Sequence, residues 1–181
     1  MGRYRARDLI LPPSLLSLAR LPLSAAFVLA LDHPWLALGV LALAGATDIV
    51  DGWWARRYDQ VTATGAVLDP ITDKIFVLTV VLTLIASSRL DLWAIVLLAT
   101  REIGEAPLVL WWALSHRKRR ALVEQPMANV PGKVATVLQF ATIAHALFRG
   151  PHTDRLLLAT AVAGGLAAVS YWVRDLRAYR G

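Results

Sequence analysis

About six apolar stretches, each close to the length of a bilayer-crossing helix, recur along this chain at residues 11–31, 34–54, 65–87, 92–114, 134–148 and 156–173. Roughly 20 apolar residues span the hydrocarbon layer as a helix, because lipid offers no partner for backbone N–H and C=O groups and only intrahelical bonding satisfies them. With 57% of its 181 residues hydrophobic, the chain has too little polar surface for a water-soluble domain of its size. The expected fold is therefore an all-α integral membrane protein of about six transmembrane helices.

The formal charge of +6 raises the question of nucleic-acid binding, and the positions of the basic residues answer it. If the N-terminus is cytoplasmic, Arg3, Arg5, Arg7, Arg56, Arg57, Arg117, Lys118, Arg119, Arg120, Lys133, Arg174, Arg177 and Arg180 fall on the inner side. Arg89, Arg149 and Arg155 fall outside. That bias is the positive-inside pattern of an even number of spans with both termini cytoplasmic, and it makes nucleic acid an unneeded partner. One membrane domain is expected over residues 1–181, with no internal repeat and no low-complexity linker. Its basic N-terminal arm, residues 1–10, either lies on the anionic inner surface or serves only as a topology signal. The first apolar run follows basic residues but offers no clear small-residue cleavage site, so it reads as a span and not as a removed signal. With no cysteine, disulfides and thiolate metal sites are excluded. The longest polar connection, residues 115–133, is expected on the cytoplasmic side and closes on Pro131-Gly132.

Against this apolar background four carboxylates stand out. Asp48 and Asp51 lie near the inner end of the second run, and Asp69 and Asp73 near the inner start of the third. Residues three or four apart share a helix face, so each pair projects together, and the short connection between the runs sets the pairs at similar depth. Charges within the bilayer are costly and usually functional. Four acids in low dielectric repel one another unless something positive offsets them. Divalent cations do so economically. All-oxygen ligation without His or Cys suits Mg2+ or Mn2+, and four carboxylates can hold two such ions, a common arrangement for displacement at phosphorus.

The neighbours of the acids fit a ligand as well. Gly52, Ala55 and Gly65 would let a ligand or another helix approach the backbone, and Gly45 is equally well explained by helix packing. Arg56, one turn beyond Asp51 and Gly52, is placed to pair with a diphosphate, with an inner-side topology charge as the alternative. Thr62 either hydrogen-bonds a nucleotide base or solvates its turn. Inside or at the ends of other spans sit three more cations, Arg20, Arg101 and Lys133, which suit a phosphate-bearing substrate. Their structural alternatives are helix carbonyls or aspartates for Arg20, Glu105 for Arg101, and an inner-end anchor for Lys133.

The pattern from Asp48 to Asp73, DxxDGxxAR, eight residues, then G, three residues, D, three residues, D, resembles the signature of the CDP-alcohol phosphotransferase family. That resemblance implies an integral membrane enzyme that transfers a phosphatidyl group from CDP-diacylglycerol to an alcohol and releases CMP. It further implies two divalent cations held by Asp48, Asp51, Asp69 and Asp73, with Asp73 also the catalytic base. Gly52, Ala55, Arg56, Thr62 and Gly65 would meet the CDP-lipid, and Arg20, Arg101 and Lys133 the acceptor.

Within the family, Leu15-Leu16-Ser17-Leu18-Ala19-Arg20, Asp69-Pro70-Ile71-Thr72-Asp73-Lys74, Arg101-Glu102-Ile103 and Gly132-Lys133-Val134 are similar to phosphatidylglycerophosphate synthases, which use glycerol 3-phosphate. Two features depart from them: Pro13-Ser14 stands where an Asn often begins the first motif, and Val109 where a second arginine is usual. Thr136-Val137-Leu138-Gln139 is similar instead to cardiolipin synthases, which use phosphatidylglycerol. Inositol phosphate and serine are further acceptors to consider.

A non-enzyme reading, an ion or proton transporter, accounts for acids in spans but not for their clustering toward one end beside glycines and an arginine. Trp53, Trp54, Trp111 and Trp112 are expected as interfacial belts or as helix contacts in a homodimer. The expected location is the plasma (inner) membrane, with the site facing the cytoplasm.

Overall fold

The computed structural model describes residues 11–58, 62, 64–114 and 130–180, and among them every regular element is a helix. All six apolar runs are helical, two of them interrupted. The first run forms α1 (Pro12–Leu18) and α2 (Arg20–Ala30), joined at Ala19. Next come α3 (Pro34–Arg57) and α4 (Gly65–Ala86). The fourth run divides at Ala99 into α5 (Ala94–Leu98) and α6 (Thr100–Leu114). The last two are α7 (Val130–Leu147) and α8 (Thr153–Arg180).

Among the described residues three stretches, Pro12–Ala30, Pro34–Ala55 and Thr153–Leu176, are long and apolar enough to cross a membrane. Helix α4 has the length, at 22 residues, but carries Asp69, Asp73 and Lys74 within it. Pro131-Gly132 does not close a loop as expected. Both residues lie in the first turn of α7, where proline is tolerated because that turn's N–H groups have no intrahelical acceptor.

The chain divides into two compact units, one ending at Arg89 and one beginning at Leu90. In the first, α1 and α2 both pack on α3 and α4. Phe27, Ala37, Leu41, Phe76, Val80 and Leu84 are buried there. Small residues at Ala37 and Ala44 let backbones approach, which is how helices gain van der Waals contact where lipid gives no hydrophobic drive. The exterior is apolar: Leu29 is 84% and Ile49 73% exposed, a surface suited to acyl chains and not to water. Arg89 Nη2 donates to Leu31 O at 3.0 Å, fastening the α4 exit to the α2 end.

In the second unit α8 packs against α5, α6 and α7. Leu108, Ala135, Ala167 and Tyr171 form its core, with Ala163 against it. Gly104 lets α6 approach α8: a Cβ there would stand 2.5 Å from that of Ala168. Trp172 Nε1 then donates to the Gly104 carbonyl at 2.9 Å. Thr142 and Thr160 share a buried hydrogen bond of 2.8 Å between α7 and α8. Both α4 and α7 end on a residue with left-handed backbone, Ser88 (φ 55°) and Arg149 (φ 52°). Each is followed by an N–H bonded five residues back, Arg89 to Leu84 O at 2.8 Å and Gly150 to His145 O at 3.1 Å. This is a Schellman-type ending. Only the second needs glycine next, because any side chain at Gly150 would run into the His145 ring.

Candidate active site: a carboxylate cluster tied by one serine and one arginine

Asp48 and Asp51 are three apart on α3, and Asp69 and Asp73 four apart on α4, so each pair shares a helix face as the spacing predicts. What draws them together comes from elsewhere in the chain. Arg20 opens α2 with its side chain 1% exposed, and its Nη2 donates to Asp48 Oδ1 at 2.7 Å and to Asp51 Oδ2 at 2.9 Å. Ser17, fully buried on α1, places its Oγ 2.5 Å from Asp69 Oδ1 and 3.3 Å from Asp51 Oδ2. Thus Asp48, Asp51 and Asp69 meet around two residues from the first apolar run.

The electrostatics are asymmetric. Asp51 is buried, whereas the Asp48 side chain is 61% exposed. A guanidinium withdrawn from water is strongly destabilising unless paired, so the two ion pairs in which Nη2 donates offset the burial of both Arg20 and Asp51. The pairing is incomplete, since Arg20 Nε and Nη1 are buried without hydrogen-bond partners. Native structures seldom leave such donors idle, and an idle buried N–H points to a ligand or an ordered water. Of the two roles read for Arg20 from sequence, the structure thus shows the aspartate pairing and leaves its remaining N–H groups open to a phosphate.

The other site residues fall as follows. Asp73 lies one turn beyond Asp69 on α4, half-buried. Gly52 and Ala55 are half-buried on α3. Arg56 is the penultimate residue of α3, with its side chain outside what is described. Thr62 Oγ1 accepts from Gly65 N–H at 3.0 Å, satisfying one of the orphan donors at the start of α4. That is a capping role beyond the two read from sequence. Gly65 keeps this start tight, as a Cβ there would stand 3.2 Å from Thr62 Oγ1. At the end of α3, Trp53, Trp54 and Tyr58 gather with ring centroids 4.8–6.5 Å apart.

Arg101 and Lys133 belong to the second unit. Arg101 Nη1 donates to Thr136 Oγ1 at 2.6 Å and Nη2 to Glu102 Oε1 at 2.7 Å, with Glu105 Oε1 3.7 Å from Nε. Lys133 is exposed on the first turns of α7. Val109 belongs to α6, its side chain outside what is described.

Oxygen ligands only, in a cluster of three acids and a hydroxyl, are the donor chemistry of a hard divalent cation. The fit shows at Ser17: one hydroxyl proton faces Asp51, Asp69 and the Pro13 carbonyl at 3.0 Å, more acceptor oxygens than one proton can serve. Positive charge is in short supply there. Among the described residues, no group of three acidic or histidine side chains is arranged to hold an ion as it stands, and Arg20 supplies the counter-charge between Asp48 and Asp51.

In the sequence Ser17 stands only as one member of the Leu15–Arg20 motif. The available signal is a polar face: Ser14, Ser17, Arg20 and Ser24 follow one another three or four residues apart in a run otherwise apolar.

An apolar-surfaced helical protein with a buried acid, hydroxyl and guanidinium cluster defines a membrane protein with an intramembrane polar site. The chain belongs to the CDP-alcohol phosphatidyltransferase family, whose model matches residues 10–173. It is 35% identical over 169 residues to the CDP-diacylglycerol--glycerol-3-phosphate 3-phosphatidyltransferase of Yersinia pestis (strain Pestoides F), covering 88% of each protein. It is 35% identical over 145 residues, 76% of each, to the protein of that name from Pectobacterium atrosepticum. It is also 35% identical over 133 residues to the cardiolipin synthase (CMP-forming) of Streptomyces coelicolor, covering 68% of this chain and 59% of that relative.

Proposed function

We propose that the chain is a membrane phosphatidyltransferase that moves the phosphatidyl group of CDP-diacylglycerol to glycerol 3-phosphate, giving phosphatidylglycerophosphate and CMP. The observation that carries this reading is the meeting of Asp48, Asp51 and Asp69 around a buried arginine whose Nε and Nη1 have no protein partner. It is supported by the membership of the family and by the names of the Yersinia and Pectobacterium relatives.

In this reading Asp48, Asp51, Asp69 and Asp73 hold two divalent cations, Mg2+ or Mn2+. Such ions, when bound, neutralise the diphosphate and stabilise the CMP leaving group. The acceptor hydroxyl oxygen forms a new bond to the phosphorus that carries diacylglycerol, and the bond from that phosphorus to the CMP oxygen breaks. Asp73 takes the hydroxyl proton. Gly52, Ala55 and Gly65 leave room for the CDP-lipid, Arg56 pairs with its diphosphate, and Thr62 orders the entry to α4 beside it. Arg20 offers its idle N–H groups to a phosphate, and Arg101 and Lys133 are the remaining acceptor-side cations. The carboxylates sit at the inner ends of two of six spans with both termini cytoplasmic, so the reaction faces the cytoplasm at the inner membrane.

A second reading, phosphatidylglycerol as acceptor and cardiolipin as product, is favoured by the Streptomyces relative and by Val109 in place of an arginine. A phosphodiester carries less charge than a phosphomonoester and needs fewer cations. The test is CMP release by purified protein from labelled CDP-diacylglycerol with Mg2+ or Mn2+ and, in turn, glycerol 3-phosphate, phosphatidylglycerol, inositol phosphate or serine. Glycerol 3-phosphate is expected to give the fastest release. Faster release with phosphatidylglycerol selects the second reading, and no metal-dependent release with any acceptor overturns both.

A further inference from the structure

We infer that Ser17 is a positioning residue, a buried hydroxyl that keeps Asp51 of α3 and Asp69 of α4 in one cluster, the oxygen donor set from which a divalent cation would be held. The inference rests on the metal-dependent reading above and adds a residue outside the four aspartates. Ser17 is fully buried, and its Oγ contacts carboxylates of both helices, at 3.3 Å for Asp51 Oδ2 and 2.5 Å for Asp69 Oδ1. Arg20, by contrast, donates to the α3 pair, Asp48 and Asp51.

The geometry follows from local structure. Ser17 Oγ lies 3.0 Å from the Pro13 carbonyl one turn back, a habitual serine contact within helices, and this fixes the rotamer that presents the oxygen to α3 and α4. Three acceptor oxygens then crowd one proton. That proton is shared among the three and fully satisfies none, so positive charge close by is favoured in low dielectric. Arg20 serves Asp48 and Asp51, and Asp69 joins the cluster through the serine hydroxyl. Without the hydroxyl, mutual repulsion of Asp51 and Asp69 favours their separation, and the α3–α4 donor set opens.

Residues that orient metal ligands without necessarily bonding the metal typically change its affinity about 10- to 100-fold when removed. The full chain and its Ser17→Ala, Ser17→Thr and Ser17→Cys variants, purified in detergent, are compared for Mn2+ affinity by electron paramagnetic resonance of free Mn2+ and for CMP release at graded Mn2+. The expected result for Ser17→Ala is an Mn2+ affinity lowered about tenfold or more, with the Mn2+ activation constant rising in proportion. At saturating Mn2+ the KM for CDP-diacylglycerol stays within about twofold of the wild type, because the ligands themselves remain.

Ser17→Thr keeps the hydroxyl and is expected to restore the affinity to within about threefold, well inside the lower bound for loss of an orienting group. If Ser17→Ala does not fold, Ser17→Cys carries the comparison, since a thiol of similar size is a poor donor and a soft ligand. Wild-type Mn2+ affinity in folded Ala or Cys variants overturns the role, as does equal loss in the Thr and Ala variants, which would mark Ser17 as packing only. Failure of the wild-type protein to bind Mn2+ overturns the metal reading and the serine's role together, and so is distinct from failure of the serine alone.

Discussion

Two arginines lie within apolar runs of this chain, and their surroundings differ. Arg20, buried, reaches across to carboxylates of α3, a different helix. Arg101, with its side chain 26% exposed, pairs with Glu102 beside it and Glu105 one turn on, and reaches α7 only through the neutral hydroxyl of Thr136. The first pairing depends on tertiary contact, whereas the second is largely local to α6. A cross-helix pair withdrawn from water is expensive to break, because the acid left behind is still buried, while a partly solvated local pair is worth little on its own. Loss of the Arg20 pairing should therefore cost the fold more than loss of the Arg101 pairing.

The largest effect is expected at Asp73, one turn beyond Asp69 on α4 and proposed above as base and metal ligand. Asp73→Asn preserves size but removes both a base and a ligand charge, so turnover should fall by about a thousandfold or more, consistent with loss of general-base catalysis at 10²- to 10⁴-fold. An unchanged circular dichroism spectrum shows that the protein is folded, and a wild-type rate in that variant would remove Asp73 from catalysis. Next comes Arg20→Ala, which leaves Asp51 buried without its partner and should cost about 3–5 kcal/mol in chelator, read as a lowered midpoint of thermal unfolding. Added Mn2+ should recover a substantial part of that loss, since the ion replaces the missing positive charge. If chelator and Mn2+ give the same deficit, the arginine and the ion do not serve the same carboxylates.

Arg101→Ala should be milder for folding, at about 1 kcal/mol or less, as befits a partly exposed pair. Its effect belongs to the acceptor: the KM for glycerol 3-phosphate should rise severalfold more than the KM for CDP-diacylglycerol. Equal increases would deny the contrast between the two arginines. The smallest change is expected at Lys133, exposed on α7, where Lys133→Gln should raise the glycerol 3-phosphate KM by about twofold, the order of a single solvent-screened charge contact. No change with that acceptor would leave Lys133 as an inner-end anchor.

Much of this was legible along the chain. Apolar runs of span length announced each helix, and the spacing from Asp48 to Asp73 announced both carboxylate pairs and the family. The limits of sequence reading lie at particular residues. The break at Ala19 has its sign in Pro22, which has no N–H for Leu18 O and crowds that carbonyl, whereas Ala99 interrupts its helix with no proline in the following turn. Pro131 looked like the end of a loop and proved to be in the first turn of α7, because proline satisfies both descriptions locally. Thr62 offered two roles as a polar residue in a connection, and the N–H of Gly65 gave it a third.

By itself the sequence determined what each helix carries: which runs are helical, which acids share a face, and which family the pattern belongs to. These are properties of one helix at a time, set by hydrophobic length and by the 3.6-residue turn. Tertiary structure alone decided what meets what. That Arg20 turns to Asp48 and Asp51, and that Ser17 bridges Asp51 and Asp69, depends on the register of α1 and α2 against α3 and α4. Interhelical register follows from the packing of small and large side chains such as Ala37, Leu41, Phe27 and Phe76, which no periodicity within a single helix encodes.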